Sequence, residues 1–122
     1  MQRAPSPIGP YSQAIQVSTP RFIFVSGQIP LDTETGALIT DVEAATHKVL
    51  NHIQSILQAA NMNFTNVVKS TIYLTNMSDF VVVNRVYQDY FKDAKVFPAR
   101  ETVQVAALPK GACVEISVIA AE

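Results

Sequence analysis

The chain has one cysteine in 122 residues, which excludes an internal disulfide and any multi-cysteine zinc site. It has no excess of basic residues. Nine Lys and Arg stand against ten Asp and Glu, giving a net charge of −1 and a pI near 6.1. A nucleic-acid-binding domain usually carries the opposite balance. No apolar run approaches the ~18 residues of a membrane span, and residues 1–10 do not read as a signal peptide. There is no repeat, no low-complexity tract and no linker-like stretch, so nothing divides the chain. What is present is apolar residue, 48% of the chain against 16% charged, which a disordered protein would not carry. The length fits one domain over residues 1–122. The expectation is a soluble, cytoplasmic α/β or α+β domain. So few charges in so small a protein also predict that part of the apolar surface faces another subunit.

Prolines 5, 7 and 10 mark an extended leader, because proline and the residue before it avoid helix. Ser12–Val17 reads as a first strand, ended by Pro20. The run Phe22-Ile23-Phe24-Val25 is continuous rather than alternating, which predicts a strand buried on both faces. Thr40 and Glu43 fit a capping box. Behind them Val42, Ala45, Val49, Ile53, Ile56, Leu57 and Ala60 recur at helical spacing, and Asn61 suits a left-handed end. Val67–Leu74 reads as a strand and Asn76–Asp79 as a turn, with Ser78 capping a second helix. That helix buries Val82, Val86 and Phe91, with Val83, Tyr87 and Tyr90 beside them. Arg100–Ala106 and Ala112–Ala121 read as two strands paired in a hairpin across the turn Leu108-Pro109-Lys110-Gly111. The predicted order is β-β-α-β-α-β-β: a single, mostly antiparallel sheet with two helices on one face, an α+β layer pair. The other face keeps apolar side chains, which again asks for a partner.

Alternation along the last strand sets Val114, Ile116, Val118 and Ala120 toward the helices. Cys113, Glu115, Ser117 and Ile119 then face away. Glu115 is a carboxylate in an otherwise hydrophobic strand. On a solvated face it is an ordinary surface charge; covered by a partner, it suits general acid/base work. Arg100 shares a face with Thr102 and Gln104. A guanidinium grips a carboxylate with two parallel bonds, although a lone arginine more often makes a surface ion pair. His47 and His52 are five residues apart on one helix and point in different directions, a poor metal pair. Cys113 lies mid-strand with no basic neighbour in sequence and reads as an inert thiol. The aromatic residues are not interleaved with basic ones as a nucleic-acid stacking platform would be. Residue types and spacing alone leave the function open.

Five segments, in this order and spacing, carry a resemblance. They are Gly9-Pro10-Tyr11-Ser12-Gln13-Ala14; Val25-Ser26-Gly27-Gln28-Ile29-Pro30; Asn66-Val67-Val68-Lys69 with Thr71; Asp79-Phe80 through Asn84 and Tyr87; and Phe97-Pro98-Ala99-Arg100 followed by Val105–Gly111. Together they resemble the RidA family (YjgF/YER057c/UK114) of imine and enamine deaminases over essentially the whole chain. The resemblance implies a chorismate-mutase-like α+β fold and a homotrimer with a cleft at each subunit interface. The implied activity is that of a 2-iminobutanoate/2-iminopropanoate deaminase. Such an enzyme hydrolyses the C=N bond of intermediates such as 2-aminoacrylate to 2-keto acids and ammonia, with no metal or organic cofactor. Arg100 matches the carboxylate-binding arginine and Glu115 the residue that positions or activates water. Tyr11, Ser26, Gly27 and Asn84 match residues lining the cleft. Deaminase-type members often carry cysteine two residues after the arginine; here Thr102 stands there, able to offer a backbone N–H and a hydroxyl to a substrate carboxylate.

Two other functions compete. One is a trimer that binds 2-keto acids without turnover; a pure carboxylate binder gains nothing from Glu115. The other is an RNA-acting protein, an endoribonuclease or translation inhibitor, against which the pI near 6.1 and the lack of a basic stripe both argue. No nucleic-acid or membrane partner is expected, only a small imino or keto acid and further copies of the chain.

Overall fold

The computed structural model describes residues 3–122, so Met1 and Gln2 of the leader lie outside the described residues. The elements in chain order are β1 (Phe22–Gln28), α1 (Val42–Ala59), β2 (Val67–Leu74), α2 (Phe80–Tyr90), β3 (Ala99–Gln104) and β4 (Val114–Ala121). They form one sheet in the order β1-β4-β2-β3. β4 runs antiparallel to both of its neighbours, and β2 and β3 are parallel. The two helices cover one face, the α+β arrangement expected.

β4 holds the centre because its alternation is the cleanest in the chain. Val114, Ile116 and Ala120 are fully buried and Val118 nearly so, while the residues between them are half-buried. Ser70, Ile72 and Leu74 of β2 lie directly opposite Val118, Ile116 and Val114 and share that buried face. Against them α1 packs Ala45, Val49, Leu50, Ile53 and Leu57, and α2 packs Val83, Val86 and Tyr87. The α1 stripe contains most of the residues expected, plus Leu50 and a buried Thr46 whose hydroxyl donates to the Val42 carbonyl at 2.7 Å. Asn61 has φ 57°. Its N–H donates to the Gln58 carbonyl and that of Met62 to Leu57, the two bonds of a Schellman end.

Six expectations need correcting. Ser12–Val17 is not a strand; it makes one parallel bridge, Ser12 to Ala99. Gln13 instead turns its amide back to the carbonyls of Ala4 and Pro5, so the segment follows the proline leader. The last two strands form no hairpin. The helical crossover through α2 sets β3 parallel to β2, and the more apolar β4 takes the central place. Phe22-Ile23-Phe24-Val25 alternates after all: Val25 faces the helices at 5% exposure, whereas Phe24 is 73% exposed on the far face. The cap of α1 is Asp41 rather than Thr40, its carboxylate accepting from the Ala44 N–H at 3.0 Å. An acidic cap also suits the positive end of the helix. On α2, Val83 rather than Val82 joins the buried stripe, and Asn76 rather than Ser78 caps the turn before it. Among the described residues no helix is long and apolar enough to cross a membrane.

The Tyr87 phenol is wholly buried and donates to Ser70 Oγ at 2.9 Å. Burial pushes its pKa up to about 12, opposed only in part by the Ser70 bond and the nearby Arg100 charge. An unfolded chain releases this proton near pH 10. The folded state therefore binds more protons above that point, and stability falls as pH rises from 10 toward 12. The full loss is on the order of 2–3 kcal/mol. Urea denaturation at pH 9, 10 and 11 should show this decline in the parent and a flatter profile in Tyr87→Phe.

Candidate active site

β3 is an edge strand, and its register against β2 decides which way its side chains point. Arg100, Thr102 and Gln104 lie opposite Ser70, Ile72 and Leu74, the helix-facing residues of β2. They therefore project to the helix side, at the rim where helix cover ends. On the facing side of this rim α2 presents Phe80, Asn84 and Tyr87, spaced i, i+4 and i+7 on one helix face. The leader closes the third side. Ser12 N–H donates to the Pro98 carbonyl at 2.9 Å and its hydroxyl to Phe97, which docks Gly9–Ser12 beside the start of β3. The result is a cleft of about 280 Å³ between leader, α2 and β3, with Met77 at one end.

Arg100 sits half-buried in this cleft. Its Nη1 donates to Asn84 Oδ1 at 2.7 Å. Its guanidinium carbon stands 5.4 Å from the centre of the Tyr11 ring, 5.7 Å from Phe80 and 5.1 Å from Tyr87. These faces favour a cation and fix its plane. Burial lowers the guanidinium pKa, with Tyr87 and Tyr11 acting in the other direction. Among the described residues no carboxylate pairs with Arg100. Beside it Thr102 Oγ1 is buried and, among the described residues, has no hydrogen-bond partner. The cleft thus sets a half-buried cation beside a hydroxyl that has no partner among the described residues.

Glu115 is elsewhere. It lies opposite Tyr73 of β2, on the face turned away from the helices. Its carboxylate lies over the backbone of Gly27 in β1, where a Cβ would stand 2.3 Å from Oε2. At that point the register of β1 against β4 slips between Val25 and Gln28, a bulge that carries Ser26 and Gly27, both exposed. The expected site residues thus fall into two groups. Tyr11, Asn84, Arg100 and Thr102 meet in the cleft; Ser26, Gly27 and Glu115 meet on the opposite face. Phe80, Tyr87 and Met77 were not foreseen as part of the site, although the spacing of 80, 84 and 87 was there to be read.

The remaining candidates stay apart from both groups. His47 Nδ1 pairs with the Tyr90 hydroxyl at 3.0 Å and His52 Nε2 with the Leu31 carbonyl at 2.7 Å. Burial pushes the half-buried Cys113 thiol up, away from the reactive thiolate. Among the described residues no cluster of three metal-ligating side chains occurs.

Comparison with known proteins gives one answer. A family model described as Endoribonuclease L-PSP matches residues 1–122. Human 2-iminobutanoate/2-iminopropanoate deaminase is 47% identical over 119 residues, covering 97% of this chain and 84% of that protein. A RutC family protein of Pyrococcus abyssi is 47% identical over 120 residues, covering 98% of this chain and 91% of that one. Among solved structures, E. coli TdcF with bound serine matches with a TM-score of 0.78 at 36% identity, covering 100% of this chain and 95% of that chain. The fold is the chorismate-mutase-like α+β one.

The unpartnered hydroxyl makes Thr102 a sensitive probe of the cleft. Thr102→Val keeps the shape and removes a buried group that has lost water without gaining a bond. The urea midpoint should rise, by about 1 kcal/mol of stability, whereas loss of a satisfied hydrogen bond would lower it.

Proposed function

This chain belongs to the RidA family, to which the Endoribonuclease L-PSP description applies, and on that premise we propose that it hydrolyses 2-imino acids and their enamine tautomers, such as 2-aminoacrylate, to 2-keto acids and ammonia. The observation that carries this reading is Arg100: a half-buried guanidinium framed by three rings, steadied by Asn84 and lacking any carboxylate of its own among the described residues. Its free N–H groups and the Thr102 hydroxyl would bind the substrate carboxylate, two bonds in the plane of the fork and one beside it. That a relative was solved with bound serine, a 2-amino carboxylate, supports the same ligand class.

An imine carbon is already electrophilic, so the chemistry needs a placed water and a proton carrier rather than a nucleophilic side chain. Glu115 would take a proton as water adds to the C=N carbon. It would return that proton to nitrogen to complete the carbinolamine, then carry the new hydroxyl's proton to nitrogen as C=O forms, the C–N bond breaks and ammonia leaves. Within one chain this cannot happen, because Glu115 and Arg100 project from opposite faces of the sheet. The site must therefore be shared, with Arg100 from one copy and Glu115 from the next. The exposed far face, with Phe22, Phe24 and Val103 43%, 73% and 40% exposed, supports the homotrimer this requires. Neither histidine lines the cleft and the net charge is −1; both argue against RNA as the substrate, whatever the family description Endoribonuclease L-PSP suggests.

Sedimentation at micromolar concentration should give roughly three times the chain mass. On enzymatically generated 2-aminoacrylate, Arg100→Lys and Glu115→Gln should each lose about 100-fold or more in kcat/KM. Mixing the two inactive chains and refolding them together should then restore activity. About one site in four pairs an intact Arg100 with an intact Glu115 when assembly is random. No recovery from a mixed trimer would mean that each site is built within one chain, and turnover at the parent rate in either variant would reject its role.

A further inference from the structure

The four glycines of the chain do not share one reason. Gly36 and Gly111 have φ of 75° and 77°, the left-handed region, with nothing within 4 Å of where a side chain would begin. They serve turns. Gly27 is the reverse case. It lies in β1 and is not among the residues with positive φ, so backbone freedom does not account for it. Space does. A Cβ at Gly27 would stand 2.3 Å from Glu115 Oε2, 2.6 Å from its Cδ and 3.0 Å from its Cγ. Carbon contacts are ordinarily about 3.5–4.0 Å. The outer half of the Glu115 side chain therefore occupies the volume that any residue other than glycine would fill.

The strand around it is shaped for the same purpose. The register slip between Val25 and Gln28 gives β1 one more residue than the stretch of β4 it faces, from Val118 to Ile116. A bulge re-aims the local backbone, and glycine within a strand marks a close approach of another group. We infer that Gly27 is a positioning residue: its missing side chain, at the bulge in β1, lets Glu115 lay its carboxylate across the strand and fixes where that carboxylate meets the substrate. This rests on the reading above in which Glu115 carries the proton. It differs from cleft lining, because Gly27 acts through Glu115 and not through the substrate.

A double-mutant cycle separates the two roles. Gly27→Ala should lower kcat on 2-aminoacrylate by about 10- to 100-fold, since an ångström of misplacement can cost that much. KM should change little, because the carboxylate anchor at Arg100 is untouched. In a Glu115→Gln background the same change should cost less than about 3-fold, since there is no proton carrier left to misplace. Equal losses in both backgrounds, or Gly27→Ala at the parent rate, would overturn the inference. Should Gly27→Ala fail to fold, adding Glu115→Ala empties the contested volume and should restore the fold; a double variant that still fails also overturns it. If the parent hydrolyses no imine, the proposed reaction falls. The crystal structure of Gly27→Ala then decides this point alone, with the Glu115 carboxylate expected to be displaced by more than about 1 Å.

Discussion

The antiparallel placement of β4 between β1 and β2 is the constraint from which the rest of the molecule follows. A strand's side chains alternate, so a central strand must divide its residues strictly between two environments. Val114, Ile116, Val118 and Ala120 take the helix side and form the floor of the core. Glu115 is thereby sent to the other face with Ser117 and Ile119. The same register, carried across β2 to β3, sends Arg100 and Thr102 to the helix side. The two ionic groups of the candidate site are thus separated by the thickness of the sheet, and no side-chain rotation can join them.

The cation half is built to stay charged without a partner. Surface arginines commonly find a carboxylate, and such pairs contribute little to stability. Arg100 instead rests among three aromatic faces with one amide at its edge. A buried hydroxyl left unbonded beside it is unfavourable for an empty cleft. The rings favour the cation while the unbonded hydroxyl does not, and on the proposed reading a substrate carboxylate would satisfy both.

Much of this is legible in the sequence, and what is not has a common cause. The facing of Glu115, of Arg100 with Thr102 and of the α1 stripe follows from periodicity, which is local. The partner of β3 is not local. A short run such as Arg100–Gln104 carries no mark of whether it pairs with the strand before it or the one after. Only the competition for the central place, which the more apolar β4 takes, decides it. Phe22–Val25 misled for a related reason. A continuous apolar run implies burial on both faces, yet within one chain only Ile23 and Val25 face the core. The role of Phe80 and Tyr87 around Arg100 was present as helical spacing but needed β3 in place before it meant anything.

The strand that completes the sheet is also the last of the four in chain order. During synthesis β1 and β2 emerge well before the strand that lies between them, and chains are made at about 5–20 residues per second. Until β4 arrives, both strands present open hydrogen-bonding edges, and Phe22 and Phe24 have no sheet beneath them. Strand edges of this kind invite pairing with other chains. The β2-α2-β3 unit, by contrast, is continuous in sequence and can close early. In chain order the elements that frame the cation pocket are therefore complete before the strand that carries Glu115.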